Sequence, residues 1–486
     1  MSAFSASFQL DPQLSAPLYR QIYQRFKQAI MQNQLQAGER VPSARSLASE
    51  LGVARATVDN AYGLLMAEGF LQSRGQAGTR VSLSLPTLSP LPERIPEPPR
   101  FTVNPMLPTS SPFPLELGLP ALDAFPRAIW SRIVTRQIRH TRIEDLGHAP
   151  LNGDAALRHE VAAYLQLSRG FSCRPEQVFI CSGYAAVLDL VMGSLMQPQD
   201  GVWLEDPGYP VTQAFFRAAG ATPMGIPVDG EGMNIDHAIQ HFPQAKFAVV
   251  TPAHQSPMGV SLSLSRRMAL LEWAASREAW IIEDDYDSEF RYQGQPLPSL
   301  KSLDAQGRVI YAGTFSKVMF PALRLGYVVV PEKLVDKVSD YCHLRACASP
   351  RLMQTSVAEF IAQGHFYRHL KRMRQLYVER RAFLTQALEA HFPRDRLWVN
   401  PQAGGIQLCA NLAASFDDAA IAQHARSQGL AIQALSDWQV EPREKGDALR
   451  PNGLLMGFPN ILNQQQADKL VDKLAAILVE SAERFP

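Results

Sequence analysis

The sequence predicts a multidomain chain: an N-terminal winged helix-turn-helix over residues 11–82, a proline-rich linker over 83–115, and a C-terminal α/β domain over 116–486. Three observations carry this reading. The first eighty residues run helix, helix–turn–helix, hairpin. Residues 82–115 hold ten prolines. Beyond 116, short apolar runs alternate with helical ones, the pattern of an open, mostly parallel sheet. At 486 residues the chain exceeds one domain, at roughly 100–200 residues each.

In the first helix (17–35), Leu18, Ile22, Phe26 and Ile30 share one face at i, i+4 spacing, and Gly38 is expected to stop it. Ser43 is a candidate N-cap for the second helix, with Leu47 and Leu51 as its apolar stripe. Gly52 makes the tight turn, and a third helix (53–69) carries Val58, Tyr62, Leu65 and Met66 inward. Residues 70–83 then read as two short strands around a glycine-containing tip. The prolines that follow resist helix and central strand alike, so 83–115 is expected to act as a semi-stiff extended spacer.

In the large domain, QVFICSG (177–183), GVWLEDPGY (201–209), KFAVVTP (246–252), AWIIEDDY (279–286) and RVIYAGTFSK (308–317) read as buried strands ending in glycine, proline or polar residues. Helical stretches lie between them. After 330 the chain turns mostly helical and closes on short strands around GGIQLCA and GLLMGF, a smaller α+β part.

Composition narrows the functions. With 46 % hydrophobic and 19 % charged residues the chain buries a large core, and a net charge of +1 excludes a polybasic binder. Five cysteines without a CxxC pair argue against a zinc site or a disulfide framework. No signal peptide precedes the fold and the longest apolar runs are strand-sized, so the expected setting is cytoplasmic, with no membrane.

Ligands of such sheets bind at the carboxyl ends of the strands, and there the sequence gathers chemistry suited to a phosphorylated pyridine aldehyde. Lys317 is an amine able to form a Schiff base once its pKa falls in a partly desolvated site, with Arg324 as a nearby cation. Thr314, Ser316 and Arg324 suit a phosphate, and SGYAA puts the Gly183, Tyr184 and Ala185 N–H groups at a helix N-terminus, an anion site. Asp284 is placed to pair with a protonated pyridine nitrogen. Tyr286, on the same strand face, is placed for the ring's oxygen, and Tyr209 for stacking. Singly each has a plainer reading: the acidic run EDDYD as a solvated loop, the tyrosines as packing. Their joint placement at strand ends favours the cofactor.

Residues 116–486 resemble a fold-type I, class I aminotransferase, on the strength of TFSKVMFPALRLG. AWIIEDDYDSEFRY and TPAHQSPMG are similar to the versions found in MocR/GabR regulators, where a GntR-type winged helix is fused to an aminotransferase-like domain. PLYRQIYQRFKQAI, GERVPSARSLASELGVARATVDNAYGLLMAEGFL and GQAGTRVS likewise resemble GntR. The resemblance implies pyridoxal 5′-phosphate held by Lys317, with Asp284 at the pyridine nitrogen, Tyr286 at the ring oxygen and Tyr209 stacked. Phosphate would fall to Arg324, Thr314, Ser316 and the 183–185 backbone. Two departures stand out. Ser256 replaces the family's Asn near the ring oxygen, leaving His254 or Gln255 as substitutes or the contact absent. Leu455 stands where a carboxylate-binding Arg is expected, with Arg450 a nearby candidate for an effector.

For DNA, residues 1–82 carry eight Lys/Arg against five acids. Ser43 and Arg45 open the second helix, where an N-terminus meets phosphate. Arg55 and Thr57 start the third, the part that meets base edges. Arg74, Thr79 and Arg80 belong to the wing. Family resemblance implies a homodimer on a double-stranded operator with two half-sites. The expected function is a transcriptional regulator sensing an amine, an amino acid or the cofactor itself through aldimine exchange at Lys317. The competing readings are an active aminotransferase with an autoregulatory DNA-binding domain, and a large domain serving only as a dimerisation scaffold.

Overall fold

A computed structural model describes residues 10–11, 14, 16–73, 75, 78–83, 113–295, 297–345, 349–440 and 451–484. Arg74, Arg450 and most of the linker lie outside these. The chain divides into two compact units, one up to Met106 and one from Leu107.

The small unit contains α1 (Leu18–Met31), α2 (Ala44–Leu51) and α3 (Arg55–Ala67), followed by a hairpin of β1 (Leu71–Ser73) and β2 (Thr79–Val81). Ile22, Phe26 and Ile30 of α1 pack with Leu47, Val58, Tyr62 and Leu65 in one core. Ser43 caps α2 by accepting from the Ser46 N–H at 3.1 Å, and Gly52 ends it in the left-handed conformation. Two expectations are corrected. The first helix ends at Met31, well before Gly38; Asn33, at φ 57°, takes the left-handed turn. Met66 is 38 % exposed, with Ala61 inward in its place. At 3.6 residues per turn Met66 sits roughly 80° around the helix from Val58, off the buried stripe.

The large unit opens with α4 (Arg127–Arg139), α5 (Ala155–Arg169), β3 (Val178–Cys181), α6 (Tyr184–Leu195), β4 (Gly201–Asp206) and α7 (Pro210–Ala218). It continues through β5 (Thr222–Asp229), β6 (Gly232–Met233), α8 (Ile235–His241), β7 (Phe247–Val250), α9 (Leu264–Ser276) and β8 (Trp280–Asp285). Next come α10 (Leu300–Leu303), β9 (Val309–Thr314), β10 (Gly326–Val329), α11 (Val335–Arg345), α12 (Arg351–Ala362) and the long α13 (His365–His391). The remainder is β11 (Leu397–Val399), β12 (Gln407–Leu412), α14 (Asp418–Ser427), β13 (Gln433–Ala434), β14 (Gly453–Gly457) and α15 (Gln464–Arg484).

Eight strands form one sheet in the order β3-β10-β9-β8-β7-β4-β5-β6. The run β9-β8-β7-β4-β5 is parallel; β10 lies antiparallel between β3 and β9, and β6 is antiparallel to β5. A second, antiparallel sheet has the order β11-β12-β14-β13. Both faces of the large sheet are buried, as parallel sheets require. Ile282, Ile310 and Val328 pack with Val187 and Val191 of α6 and Val338 of α11, whereas Ile281 and Val309 pack with Leu270 and Ala274 of α9. Parallel pairing sets the carboxyl ends of β4, β7, β8 and β9 along one edge, and the site lies there. Among the described residues no helix is long and apolar enough to cross a membrane, no metal-ligand cluster occurs, and no two cysteines form a disulfide.

Candidate cofactor site and DNA-reading surface

β8 turns alternate side chains to opposite faces of the sheet, and Asp284 points to the face shared with α6. It is 8 % exposed and hydrogen-bonded with the Tyr184 side chain, and burial pushes its carboxyl up to about 7. Behind it, Glu205 of β4 is also raised to about 7 by burial, although the Thr251 N–H, the Thr251 hydroxyl and the Gln255 amide donate to it. A buried carboxyl of this kind, with no ion pair among the described residues, suits a protonated ring nitrogen. The EDDYD run is thus enclosed, not the solvated loop of the plainer reading.

Lys317 follows β9 in the turn after Thr314. Its amine donates to the Gly118 carbonyl at 3.0 Å. Burial holds its pKa below the ordinary value, against the opposing pull of Asp287, Asp284 and Glu116. The cause is therefore desolvation; the charges that act on it are acids, and the sequence-based role of Arg324 as depressing cation is not what the geometry provides.

Arg324 instead stands over the start of α6. It is left-handed at φ 52°, exposed, and donates to the Ser182 carbonyl at 3.3 Å. Gly183, with φ 91° and ψ 179°, precedes α6 in a conformation reserved for glycine, so the N–H groups of Tyr184 and Ala185 open at the helix N-terminus. Thr314, at the end of β9, accepts the Ser316 N–H at 3.1 Å, which ties that turn together beside β10. Arg324 and the Gly183 backbone thus lie together beside the end of β9, where the sequence places the phosphate.

Tyr286 lies just past β8. Its hydroxyl meets His254 Nδ1 at 2.9 Å and hydrogen-bonds with Ser256. Of the two substitutes for the missing Asn, His254 thus reaches Tyr286. Gln255 does not: its amide is spent on Glu205 and the carbonyls of Pro207 and Ser256. Tyr209 caps the N-terminus of α7, 40 % exposed, between the rings of Tyr184 and Trp438 at 6.3 and 5.6 Å. Leu455 is fully buried in an apolar cluster with Cys409, Leu435 and Trp438. Sequence reasoning missed Asp287, Glu116 and Gly118 around the Lys317 amine; only the acidic run hinted at the first. It also missed the Tyr184 side chain.

In the small unit Arg45 and Arg55 are exposed at the starts of α2 and α3, and Arg55 pairs with Asp59 at 3.3 Å. Thr57 and Thr79 are half-buried. Arg80 donates to the Gly38 carbonyl at 2.9 Å, so part of its guanidinium holds the hairpin to the preceding loop.

Comparison with known proteins agrees with both halves. Residues 18–81 match the gntR family of bacterial regulatory proteins, and residues 133–447 match aminotransferase class I and II. The chain is 35 % identical over 442 residues to the probable rhizopine catabolism regulatory protein MocR of Rhizobium meliloti, covering 88 % of each. It is 31 % identical to the pyridoxine biosynthesis transcriptional regulator PdxR of Corynebacterium glutamicum, over 92 % of this chain and 93 % of that one. Among solved structures, an archaeal alanine:glyoxylate aminotransferase is similar with a TM-score of 0.69 and 28 % identity, covering 76 % of this chain and 91 % of that one.

Proposed function

The chain belongs to the MocR/GabR-type regulators, in which a gntR DNA-binding unit precedes a pyridoxal 5′-phosphate-dependent aminotransferase unit, and from that premise we propose that it senses an amine, an amino acid or the cofactor itself at Lys317 and answers at operator DNA. The observation that supports the reading is the pair of buried groups at one strand edge, an amine held below its ordinary pKa and a carboxyl raised to about 7; the family resemblance adds that Leu455 stands where a carboxylate-binding Arg is expected.

When bound, pyridoxal 5′-phosphate supplies an aldehyde open to a neutral primary amine and a ring nitrogen that withdraws electrons once protonated. Asp284 holds the proton at that nitrogen. Tyr286, steadied by His254 and Ser256, directs its hydroxyl to the ring oxygen. Arg324, Thr314, Ser316 and the 183–185 N–H groups would bind the phosphate, and Tyr209 would cover one face. Burial keeps more of Lys317 neutral, which makes it both a nucleophile and a group that another amine displaces. The Lys317 amine donates to the Gly118 carbonyl at 3.0 Å. That bond ties the state of the site to the first residues after the linker.

The protein acts as a homodimer whose two small units read two half-sites. The effector alters DNA affinity only if it prefers one of the two conformations, and the coupling is reciprocal. An active, autoregulated aminotransferase is the second reading, and Leu455 speaks against it. The test is a titration of holo-protein with primary amines and amino acids, following visible absorbance and operator affinity together. One amine that shifts both, with at most one slow half-reaction, supports sensing. Steady multiple turnover with an amino donor and a 2-oxo acid, without any change at the operator, hands the site to the enzyme.

A further inference from the structure

On the opposite face of the same strands lies a cavity of about 1020 Å³ that shares only His254 and Asp287 with the cofactor site. The alternation that sends Asp284 towards α6 sends Glu283 and Asp285 the other way, and both line this chamber. Part of its charge is internally matched. Arg169 bonds Asp285 at 2.5 Å and Glu289 at 2.6 Å, and Glu283 accepts the N–H groups of Leu300 and Lys301. Arg291, Lys371 and Arg374 also line the chamber, and among the described residues none of the three has a carboxylate partner.

Among the described residues four enclosed polar atoms at this wall lack a hydrogen bond of good geometry, His254 Nε2, Asp287 Oδ2, Ser288 Oγ and Arg291 Nε; of these, Asp287 Oδ2 has His254 Nδ1 at 3.3 Å and the Ser288 side chain has Asp285 as a neighbour. His254 and Asp287 are 6 % and 1 % exposed. Buried polar atoms in folded proteins almost always have partners, so His254 Nε2 and Arg291 Nε, which have none among the described residues, mark a place in the chamber wall that an occupant completes.

We propose that the chamber is a second ligand site, for a small carboxylate- or phosphate-bearing anion that also carries a hydrogen-bond donor. The anion meets Arg291 Nε, Lys371 and Arg374; the donor meets Asp287 Oδ2 and the Ser288 hydroxyl. His254 is the wall shared with the cofactor face. Its Nδ1 faces the Tyr286 hydroxyl, and its ring lies so close to Gly405 that a Cβ there would overlap it. A ligand group at Nε2 fixes which ring nitrogen carries the proton, and so the sense of the Tyr286 hydrogen bond. That read-out at the ring oxygen rests on the cofactor reading; the binding itself does not.

The test uses full-length protein loaded with pyridoxal 5′-phosphate and reduced with borohydride, so that the Lys317 site stays filled. Inorganic phosphate, succinate and glutamate are titrated calorimetrically. The expected result is saturable one-to-one binding of at least one probe, weakened at least tenfold by Arg291→Gln and by Lys371→Gln. Because Lys371 is exposed, its variant guards against a folding defect. Phosphate binding most tightly assigns a phosphate, succinate a carboxylate, and glutamate over succinate places the donor at Asp287. No heat from any probe, or binding indifferent to both variants, overturns the proposal. If the protein takes up no cofactor, the same titration on it as purified separates the two readings: binding sensitive to Arg291→Gln stands without the cofactor.

Discussion

In the small unit Arg45 and Arg55 stand exposed at helix starts, whereas in the large unit Asp284, Glu205 and Asp287 are almost wholly buried. Exposed cations act through a field that salt screens over about 10 Å. Enclosed groups act through altered protonation, because burial penalises the charged form. One unit should therefore respond to ionic strength and the other to pH and cofactor, and each prediction below sets the two against each other.

The largest expected effect is all-or-none. Lys317→Ala removes the visible band that borohydride otherwise bleaches, and it makes operator affinity indifferent to the amine that shifts it in the wild type, since the group that amine acts on is gone. Spectra and operator titration on the same preparation check it. A variant that kept a borohydride-sensitive band would place the covalent attachment on another lysine.

The second effect lies in the pH dependence of the cofactor-free protein. The Asp284 carboxyl titrates near 7 in the folded state against 3.8 as its ordinary value. The folded form therefore holds a proton that the unfolded form has lost between about pH 4 and pH 7. Stability from this group is fully present below pH 4 and falls as pH rises through 7, by about 4 kcal/mol at most at 1.4 kcal/mol per unit. Asp284→Asn should flatten that slope in denaturant titrations from pH 4.5 to 7.5, leaving the share of Glu205, which is raised in the same way. Superimposable slopes for wild type and variant would show that Asp284 stays charged. Glu205 is the natural second variant in that series.

The third effect belongs to the small unit. Arg55→Ala should weaken operator binding by about 1–3 kcal/mol, roughly tenfold to a hundredfold, and relax preference at one base position. Arg45→Ala should instead lower the salt slope of binding by about one, as expected of a phosphate contact. The exposed Arg55–Asp59 pair contributes about 0–1 kcal/mol to folding, so a thermal melt separates lost recognition from lost structure. A slope unchanged by Arg45→Ala removes that residue from the phosphate contacts.

Most of this architecture was legible because it follows periodicity. The five strand stretches, the Ser43 cap and the Gly52 turn all have local causes. What escaped depends on three-dimensional neighbours. Met66 reads as apolar and inward, yet its angle around α3 takes it off the core. The strand Thr222–Asp229 escaped because TPMGIPVD carries glycine and two prolines, although it pairs in register with β4. Asp287 could not be separated from a solvated acidic run, because only the fold brings Lys317 and His254 to it. For Lys317 the expected desolvation is the cause of its depression, whereas the expected help from Arg324 is absent: the charges that act on it are acids. The chamber on the far face left no sequence trace, since its residues come from segments more than two hundred positions apart.

The smallest effect tests the boundary between the two uses of charge at one residue. Ser43 was expected at phosphate, and its hydroxyl oxygen also accepts the Ser46 N–H as the cap of α2. Ser43→Ala removes both roles and should cost about 1 kcal/mol of small-unit stability. Ser43→Asp separates them. Aspartate caps a helix as well as serine and favours its positive end, so the melt should stay near wild type, while a new negative charge facing a phosphate should weaken operator binding, most at low salt. If Ser43→Asp binds DNA as tightly as wild type at every salt concentration, Ser43 is a cap alone, and the phosphate contact at α2 falls to Arg45.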